Sequence, residues 1–338
     1  MNLTSLTLFF PFLFFFSCLN PEKNLIYISG EAQGTTYSIK FISRNTSDYS
    51  GPVDSIFRII DNSLSTYKEN SIISRVNNND TTVILDEHFI AVFKRGIEIS
   101  ELTGGLFDPT VMPLFLLWKF DKDNEALFSV PGSALIDSVL AFTGYKKIHI
   151  SNNKIIKDDP RLKIDFSGIA QGYTVDLLAR YLKSERITDY MIELGGEVGA
   201  SGKNEKGEYW RIGIDDPIAE PGSRKIFTAI SLSDKSLATS GVYRKYHEIN
   251  GKRYSHIIDP KTGYGVYHNL LSASVIADDC TTADALATAL IVMGEKGAEE
   301  FLRQSNHVQG LLIFTTTENQ IKTFATESLK VWFVNSGK

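Results

Sequence analysis

The sequence predicts an α+β fold, one large domain of two interleaved lobes. Segments with a two-residue apolar alternation and segments with a helical apolar stripe follow one another irregularly, without the strand–helix–strand rhythm of a parallel sheet. No internal repeat and no Pro- or Ser-rich linker divides the 338 residues. With 43% hydrophobic residues, the chain can fill one large core or two fused ones.

Each element follows from its local pattern. Residues 25–42 read as a strand, with Gly30 and Gly34 inside it marking a bulge or a close backbone approach. Residues 52–65 read as a helix, with Val53, Ile56, Ile60 and Leu64 on one stripe. Asp86 opens the next helix, which carries Phe89, Phe93 and Ile97 and stops at Gly104-Gly105. Ser133 is expected to cap a third, bearing Leu135, Ile136, Val139 and Leu140 and ending at Gly144. Between Lys147 and Phe166 the pattern alternates, through Ile148 and Ile150 and then Leu162, Ile164 and Phe166, with Asn152-Asn153 as a hairpin turn. A helix over residues 169–183 follows Ser167-Gly168, then strands over 190–194 and around Trp210, Ile212 and Ile214. Asn250-Gly251 is a strong hairpin turn. Residues 271–277 form a strand that runs into a helix over 282–293, closed by Gly294.

Charge and cysteine content narrow the function. Lys+Arg 35 against Asp+Glu 40 leaves a formal charge of −5, the wrong sign for a general nucleic-acid binder. The 2 cysteines, Cys18 and Cys280, are too few for a disulfide framework and form no Cys-x-x-Cys zinc pair. Residues 6–16 are almost purely apolar. A bilayer span needs roughly 20 such residues, so this run matches the apolar region of a signal peptide. Phe15-Phe16-Ser17-Cys18 follows and resembles a bacterial lipobox. Residues 1–17 are therefore expected to be a lipoprotein-type signal peptide and Cys18 the lipidated residue. The protein would then be exported and held on a membrane, facing the periplasm or the cell exterior.

Four segments set glycine beside acid or hydroxyl at an element boundary. The first is Thr103-Gly104-Gly105-Leu106-Phe107-Asp108-Pro109-Thr110, where glycines permit a close backbone approach and Asp-Pro shapes the turn. Taken alone, it is also what a helix stop and a turn look like. The second runs from Asp165 through Ser167-Gly168-Ile169-Ala170-Gln171-Gly172-Tyr173-Thr174 to Asp176, a helix N-terminus of the kind that binds phosphate. Gly172 within the helix costs about 1 kcal/mol against Ala, which points to contact with something bulky or to simple helix packing. The third is Ser255-His256-Ile257-Ile258-Asp259-Pro260-Lys261-Thr262-Gly263, a polar cluster past a hairpin strand. In the fourth, Asp278–Ala289, Asp284 and Thr288 are four apart and share a helix face. A carboxylate and a hydroxyl so stacked are hard oxygen ligands that suit Mg²⁺ and not zinc, although an N-capped amphipathic helix has the same look. No G-x-G-x-x-G, Walker A, H-E-x-x-H or G-x-S-x-G motif is present.

In this order the blocks resemble the FAD:protein FMN transferase (ApbE) family. The resemblance rests on G-G-x-F-D-P-T at residues 104–110, D-x-S-G-I-A-x-G-Y at 165–173, E-L-G-G at 193–196, S-H-I-I-D-P-x-T-G at 255–263 and T-A-D-A-L-A-T at 282–288. It covers nearly the whole chain beyond Cys18, from Gly34-Thr35-Thr36-Tyr37 to Gly294, and implies a T-fold-like transferase domain over residues 25–335. It also implies Mg²⁺-dependent transfer of FMN from FAD to a Thr or Ser hydroxyl of an acceptor protein, with release of AMP. The metal ligands implied are Asp284 and Thr288 through their side chains and Thr174 through its carbonyl. The FAD contacts implied are Gln33, where relatives often carry Met, and Tyr67, Leu106, Phe107, Asp108, Gln171, Leu177 and Ile258. His256 is the candidate to orient or deprotonate the acceptor hydroxyl, or to hold a flavin phosphate, and Asp284 is the other catalytic candidate. The acceptors implied are membrane flavoprotein subunits of the Na⁺-pumping quinone reductase and electron-transport type. Two alternatives share these residues: an FAD pyrophosphatase, with water in place of the acceptor hydroxyl, and a non-catalytic flavin-binding lipoprotein.

Overall fold

Residues 25–42 form a hairpin, where the alternation alone predicts one strand. In the computed structural model β1 (Asn24–Ala32) and β2 (Thr35–Ser43) pair antiparallel through nine consecutive positions. Gln33 and Gly34 turn the chain with φ of 52° and 75°, the two positive angles of a type I′ turn. Across the turn the inward-facing set shifts from the even positions Ile26, Ile28 and Ala32 to the odd positions Tyr37, Ile39 and Phe41, a change of phase that marks the turn as the backbone angles do. The structure describes residues 23–45, 47–120, 130–219, 223, 225–242, 246–249, 252–330 and 333. The expected signal peptide, Cys18 and the Asn250-Gly251 turn lie outside these.

The central element is an eight-stranded antiparallel sheet in the order β1-β2-β5-β6-β9-β12-β13-β14. Its later strands are β5 (Tyr190–Leu194), β6 (Glu197–Ser201), β9 (Lys235–Gly241), β12 (Leu270–Ala277), β13 (Gln309–Thr315) and β14 (Ile321–Ala325). One face carries helices. On β2 and β5 lies α1 (Ser50–Leu64), burying Val53, Phe57, Ile60 and Leu64 at helical spacing. The long helices α6 (Ala170–Ser184) and α7 (Cys280–Gln304) cross the centre, with α2 (Ile72–Asn77) and α3 (Glu87–Leu102) completing that layer. The other face of the central strands is covered by the ribbon β7 (Trp210–Asp215) and β8 (Ile226–Leu232), through Trp210, Ile212, Ile214, Ile230 and Leu232.

The start of α3 is capped as expected, Asp86 accepting the Phe89 N–H at 2.8 Å. Ser133 is not a cap. It is the first residue of α5 (Ser133–Leu140), the cap position falls on Gly132, and only Ile136 of the four stripe residues is buried. The ribbon β3 (Ile148–Ser151) and β4 (Lys154–Lys157) turns at Asn152-Asn153 as predicted, but the alternation in 162–166 is extended chain without a ladder partner. Its Leu162, Ile164 and Phe166 are nonetheless at most 1% exposed, because burial on one side alone imposes a period of two. A satellite core of Leu114, Trp118, Phe120, Ile136 and Ile258 joins α4 (Met112–Leu117) and α5 to the loop that follows the ribbon β10 (Tyr246–Ile249) and β11 (Lys252–Ser255). The chain closes with α8 (Glu327–Lys330). α7 breaks at Gly294 (φ 70°) and resumes beyond it to Gln304.

Candidate active site

The site grows from the crossing of α6 and α7. Gly172 lies so close to α7 that a methyl group there would fall 2.3 Å from the Cys280 carbonyl oxygen and 2.8 Å from Asp284 Cβ. The bulky neighbour that its sequence position implied is therefore helix backbone. The Gly172 N–H, one of the unpaired donors at the α6 N-terminus, donates to Asp284 Oδ2 at 3.0 Å. Asp284 is 5% exposed, and its Oδ1 accepts no hydrogen bond among the described residues. Desolvation, reinforced by the charge of Asp176 and opposed by the Gly172 bond, pushes its carboxyl up to about 7. Asp176 itself seals the junction from the α6 side. Its carboxylate accepts the Cys280 and Thr281 N–H groups, at 2.8 and 2.9 Å, and burial raises its pKa too.

The remaining motif blocks converge on this crossing. Thr288, one turn beyond Asp284 and half-buried, places its hydroxyl 3.2 Å from Ser240 Oγ on β9. A methyl on Gly168 would lie 3.2 Å from Thr288 Oγ1 and 3.4 Å from the Phe107 ring, so the first, second and last blocks meet there. Phe107 is buried and Leu106 half-buried. The Asp108 carboxylate is committed inside its own turn, accepting from the Thr110 N–H and hydroxyl (2.8 and 2.6 Å) and from the Tyr145 N–H (2.8 Å). From the first hairpin, Gln33 Nε2 donates to Thr174 Oγ1 at 2.9 Å, and that hydroxyl donates to the Ala170 carbonyl at 2.8 Å. Gln33 Oε1 is buried without a partner among the described residues. The E-L-G-G turn joins the same wall: a methyl on Gly195 would lie 2.9 Å from Thr35 and 3.2 Å from Gln171 Nε2. Leu177 packs against the helical core.

The other candidates sit differently. Tyr67 is 90% exposed on the loop between α1 and α2. Ile258 is 6% exposed and spends its side chain in the satellite core. His256 is half-buried at the start of its loop, which Trp118 Nε1 ties down by donating to the Gly263 carbonyl at 2.8 Å. Through α4 this loop is anchored to the chain that leaves the first block. Two participants, and one contact between residues already singled out, escaped the sequence reading. Asp176 stood at the end of a quoted motif but looked like an ordinary helix acid. Ser240 carried no local signal, and the Gln33–Thr174 bond spans 141 positions.

Asp284 and Thr288 fit a hard divalent cation. A carboxylate this buried with no Lys or Arg beside it is costly when charged, and an oxygen open toward the junction is what a cation would take up. Thr174 fits less directly. It is fully buried and its hydroxyl is engaged twice, leaving the second lone pair of its carbonyl.

The chain is similar to known proteins over most of its length. A family model described as the ApbE family matches residues 33–312. A Vibrio cholerae protein named FAD:protein FMN transferase is 36% identical over 319 residues, covering 93% of this chain and 94% of its own. An Escherichia coli protein of the same name is 33% identical over 283 residues, covering 81% and 79%. Among solved structures, the flavin transferase ApbE from Vibrio cholerae superposes with a TM-score of 0.81 at 35% identity, over 92% of this chain and 100% of that one. The apo flavinyl transferase ApbE of Pseudomonas stutzeri superposes with a TM-score of 0.82 at 28% identity, over 92% and 97%. With the family model and these relatives spanning most of its length, the chain belongs to the ApbE family.

Proposed function

We propose that this protein is a Mg²⁺-dependent FAD:protein FMN transferase. One observation carries the metal-dependent part of the reading: Asp284 is a buried carboxylate with no cationic partner and one open oxygen, with Thr288 one helical turn further on. A flavin store would gain nothing from such a pair. A diphosphate substrate would, because a divalent cation held by Asp284 and Thr288 would supply the positive charge that the diphosphate and the carboxylate both lack. Asp284, Thr288 and the Thr174 carbonyl would hold Mg²⁺, which supplies charge neutralisation at the diphosphate and eases departure of AMP.

The chain's own residues do the rest. Gln33, Gln171 and the 106–108 turn would contact FAD. The Asp108 carboxylate, locked by Thr110 and Tyr145, contributes by holding that turn in place. Tyr67, exposed on its loop, and the half-buried Leu177 belong to the same flavin surface, whereas Ile258, its side chain in the satellite core, would reach FAD only through its main chain. His256 accepts the proton of the incoming Thr or Ser hydroxyl, whose oxygen forms a bond to the FMN phosphorus. The P–O bond to AMP breaks, and AMP leaves with the bridging oxygen and its electron pair. The positive end of the α6 dipole favours the negative charge at the diphosphate, although the Ala170, Gly172 and Tyr173 N–H groups are already taken by Phe166, Asp284 and Ile169.

The acceptor we infer is a subunit of a membrane flavoprotein of the Na⁺-pumping quinone reductase or electron-transport type. We further infer that residues 1–17 are removed, that Cys18 is lipidated, and that the enzyme works outside the cytoplasm on a membrane. The test is incubation with FAD and Mg²⁺, following AMP release and flavin attachment with and without an acceptor domain. FMN attached to the acceptor in step with AMP supports the reading. AMP release indifferent to the acceptor makes the protein a pyrophosphatase, and bound FAD that never turns over makes it a flavin carrier.

A further inference from the structure

The sheet ends at β1 on a long edge with unbroken register. In a two-residue hairpin the closing residues form a hydrogen-bonded pair, so bonded and non-bonded pairs alternate from Ala32 and Thr35 outward. By that count Leu25, Tyr27, Ser29 and Glu31 turn their N–H and C=O groups away from β2. Bonds on the far side of β2 confirm the alternation. The Thr36 carbonyl, opposite Glu31, accepts from the Gly195 N–H at 3.1 Å, and the Ile42 N–H, opposite Leu25, donates to the Asp189 carbonyl at 2.9 Å. Four residues of β1 thus present eight main-chain groups that have no partner among the described residues.

Natural edge strands are usually blunted by shortness, a bulge, proline or lysine. The opposite edge, β14, is 5 residues long with Lys322 in it. β1 has 9 residues, unbroken register, no Pro and no Lys, and exposes Leu25 (45%) and Tyr27 (58%). Its course supplies the reason. It runs directly into Gln33, whose side chain reaches Thr174 at the candidate active site, and Thr35 just beyond the turn faces Gln171 across Gly195. A chain laid along β1 is led to where FMN would be transferred.

We propose that the acceptor protein docks by adding an extended segment to β1 as a ninth strand of the sheet, delivering its Thr or Ser hydroxyl past the Gln33–Gly34 turn. Main-chain pairing suits an enzyme that must accept a polypeptide, since it holds the segment whatever its side chains are. This rests on the FMN-transfer reading.

Proline at position 27 separates the two. The Tyr27 N–H points outward, so Tyr27→Pro removes one docking donor and leaves the β1–β2 ladder intact. With the soluble acceptor domain of a Na⁺-pumping quinone reductase subunit as probe, Tyr27→Pro is expected to raise the acceptor KM about tenfold or more, the loss of one or two main-chain bonds. Acceptor-independent FAD binding and AMP release should match wild type, and Tyr27→Val, which keeps the N–H, should transfer normally. A Tyr27→Pro enzyme with unchanged acceptor KM, or a Tyr27→Val enzyme equally impaired, would overturn the proposal. Amide exchange on the unmodified chain gives a second reading, using the acceptor domain with its target Thr changed to Val. Exchange at Leu25, Tyr27, Ser29 and Glu31 is expected to slow on binding. No slowing overturns the docking mode. Protection already present in the free chain assigns the edge to its own N-terminal segment or, if it depends on enzyme concentration, to a second copy. A wild-type chain that releases no AMP and flavinylates nothing defeats the FMN-transfer reading itself.

Discussion

Asp284 concentrates the electrostatics of the junction in one carboxylate. Its burial raises the energy of the charged form, and the Gly172 N–H offsets only part of that. Asp284→Asn keeps the shape and removes the charge, so the metal-free variant is expected to melt no lower than the metal-free wild type. Mg²⁺ with FAD should raise the melting temperature of the wild type and leave that of the variant unmoved. FMN transfer and AMP release should both disappear in the variant, and chelation of the wild type should reproduce this without unfolding. A variant that still transfers FMN at the wild-type rate would place the metal elsewhere. For His256 the expectation concerns rate and not binding. His256→Ala should slow transfer by about 10²–10⁴-fold, the usual loss for a general base, while FAD titration stays unchanged. Lost FAD affinity at an unchanged rate would assign His256 to a flavin phosphate.

At the scale of elements, the site depends on how near α6 and α7 approach. Gly172 sets that separation, because any side chain there would strike the Cys280 carbonyl and Asp284. Gly172→Ala should cost about 1–3 kcal/mol or more, as overpacking does, even though Ala is the better helix former. Transfer should fall with it as Asp284 is displaced. Gly96→Ala in α3, where a methyl meets only the Phe107 and Pro109 rings at 3.8 Å, is the matched control and should keep the wild-type melting temperature or raise it slightly. Equal behaviour of the two variants would show that the crossing tolerates a wider gap. The helices themselves were legible from spacing: Val53, Ile60 and Leu64, or Phe89 and Phe93, sit on buried faces as the period of 3.6 requires. Residues 25–42 were misread for a physical reason. A two-residue turn flips the phase of the alternation, here from Ile26 and Ile28 to Tyr37, Ile39 and Phe41, but the small and polar residues 29–36 between them blur the flip, and Gln33 at φ 52° is not a residue that advertises a turn.

For the whole molecule, the expected export and anchoring make a prediction independent of the fold. Cys18→Ala should shift the protein from the membrane fraction to the soluble one while AMP release by the washed protein stays at the wild-type level. A lipid chain contributes about 0.8 kcal/mol per buried CH₂, so its loss should be decisive. Membrane association that survives the substitution would refute lipidation at Cys18.

The sequence by itself determined the fold class, most helices, the five motif blocks and hence the family, because each of these is written in residues a few positions apart. It also placed Asp284 and Thr288 on one helix face, since a helical turn is a local fact. Only the tertiary structure decided that Gln33 meets Thr174, that Asp176 caps α7, that Ser240 stands beside Thr288, and that the Asp108 and Ile258 side chains are spent on holding loops and core. Those contacts follow from the order of eight strands and the depth at which two helices cross. Both are set by how all the apolar faces find partners at once, and no short stretch of sequence contains that information.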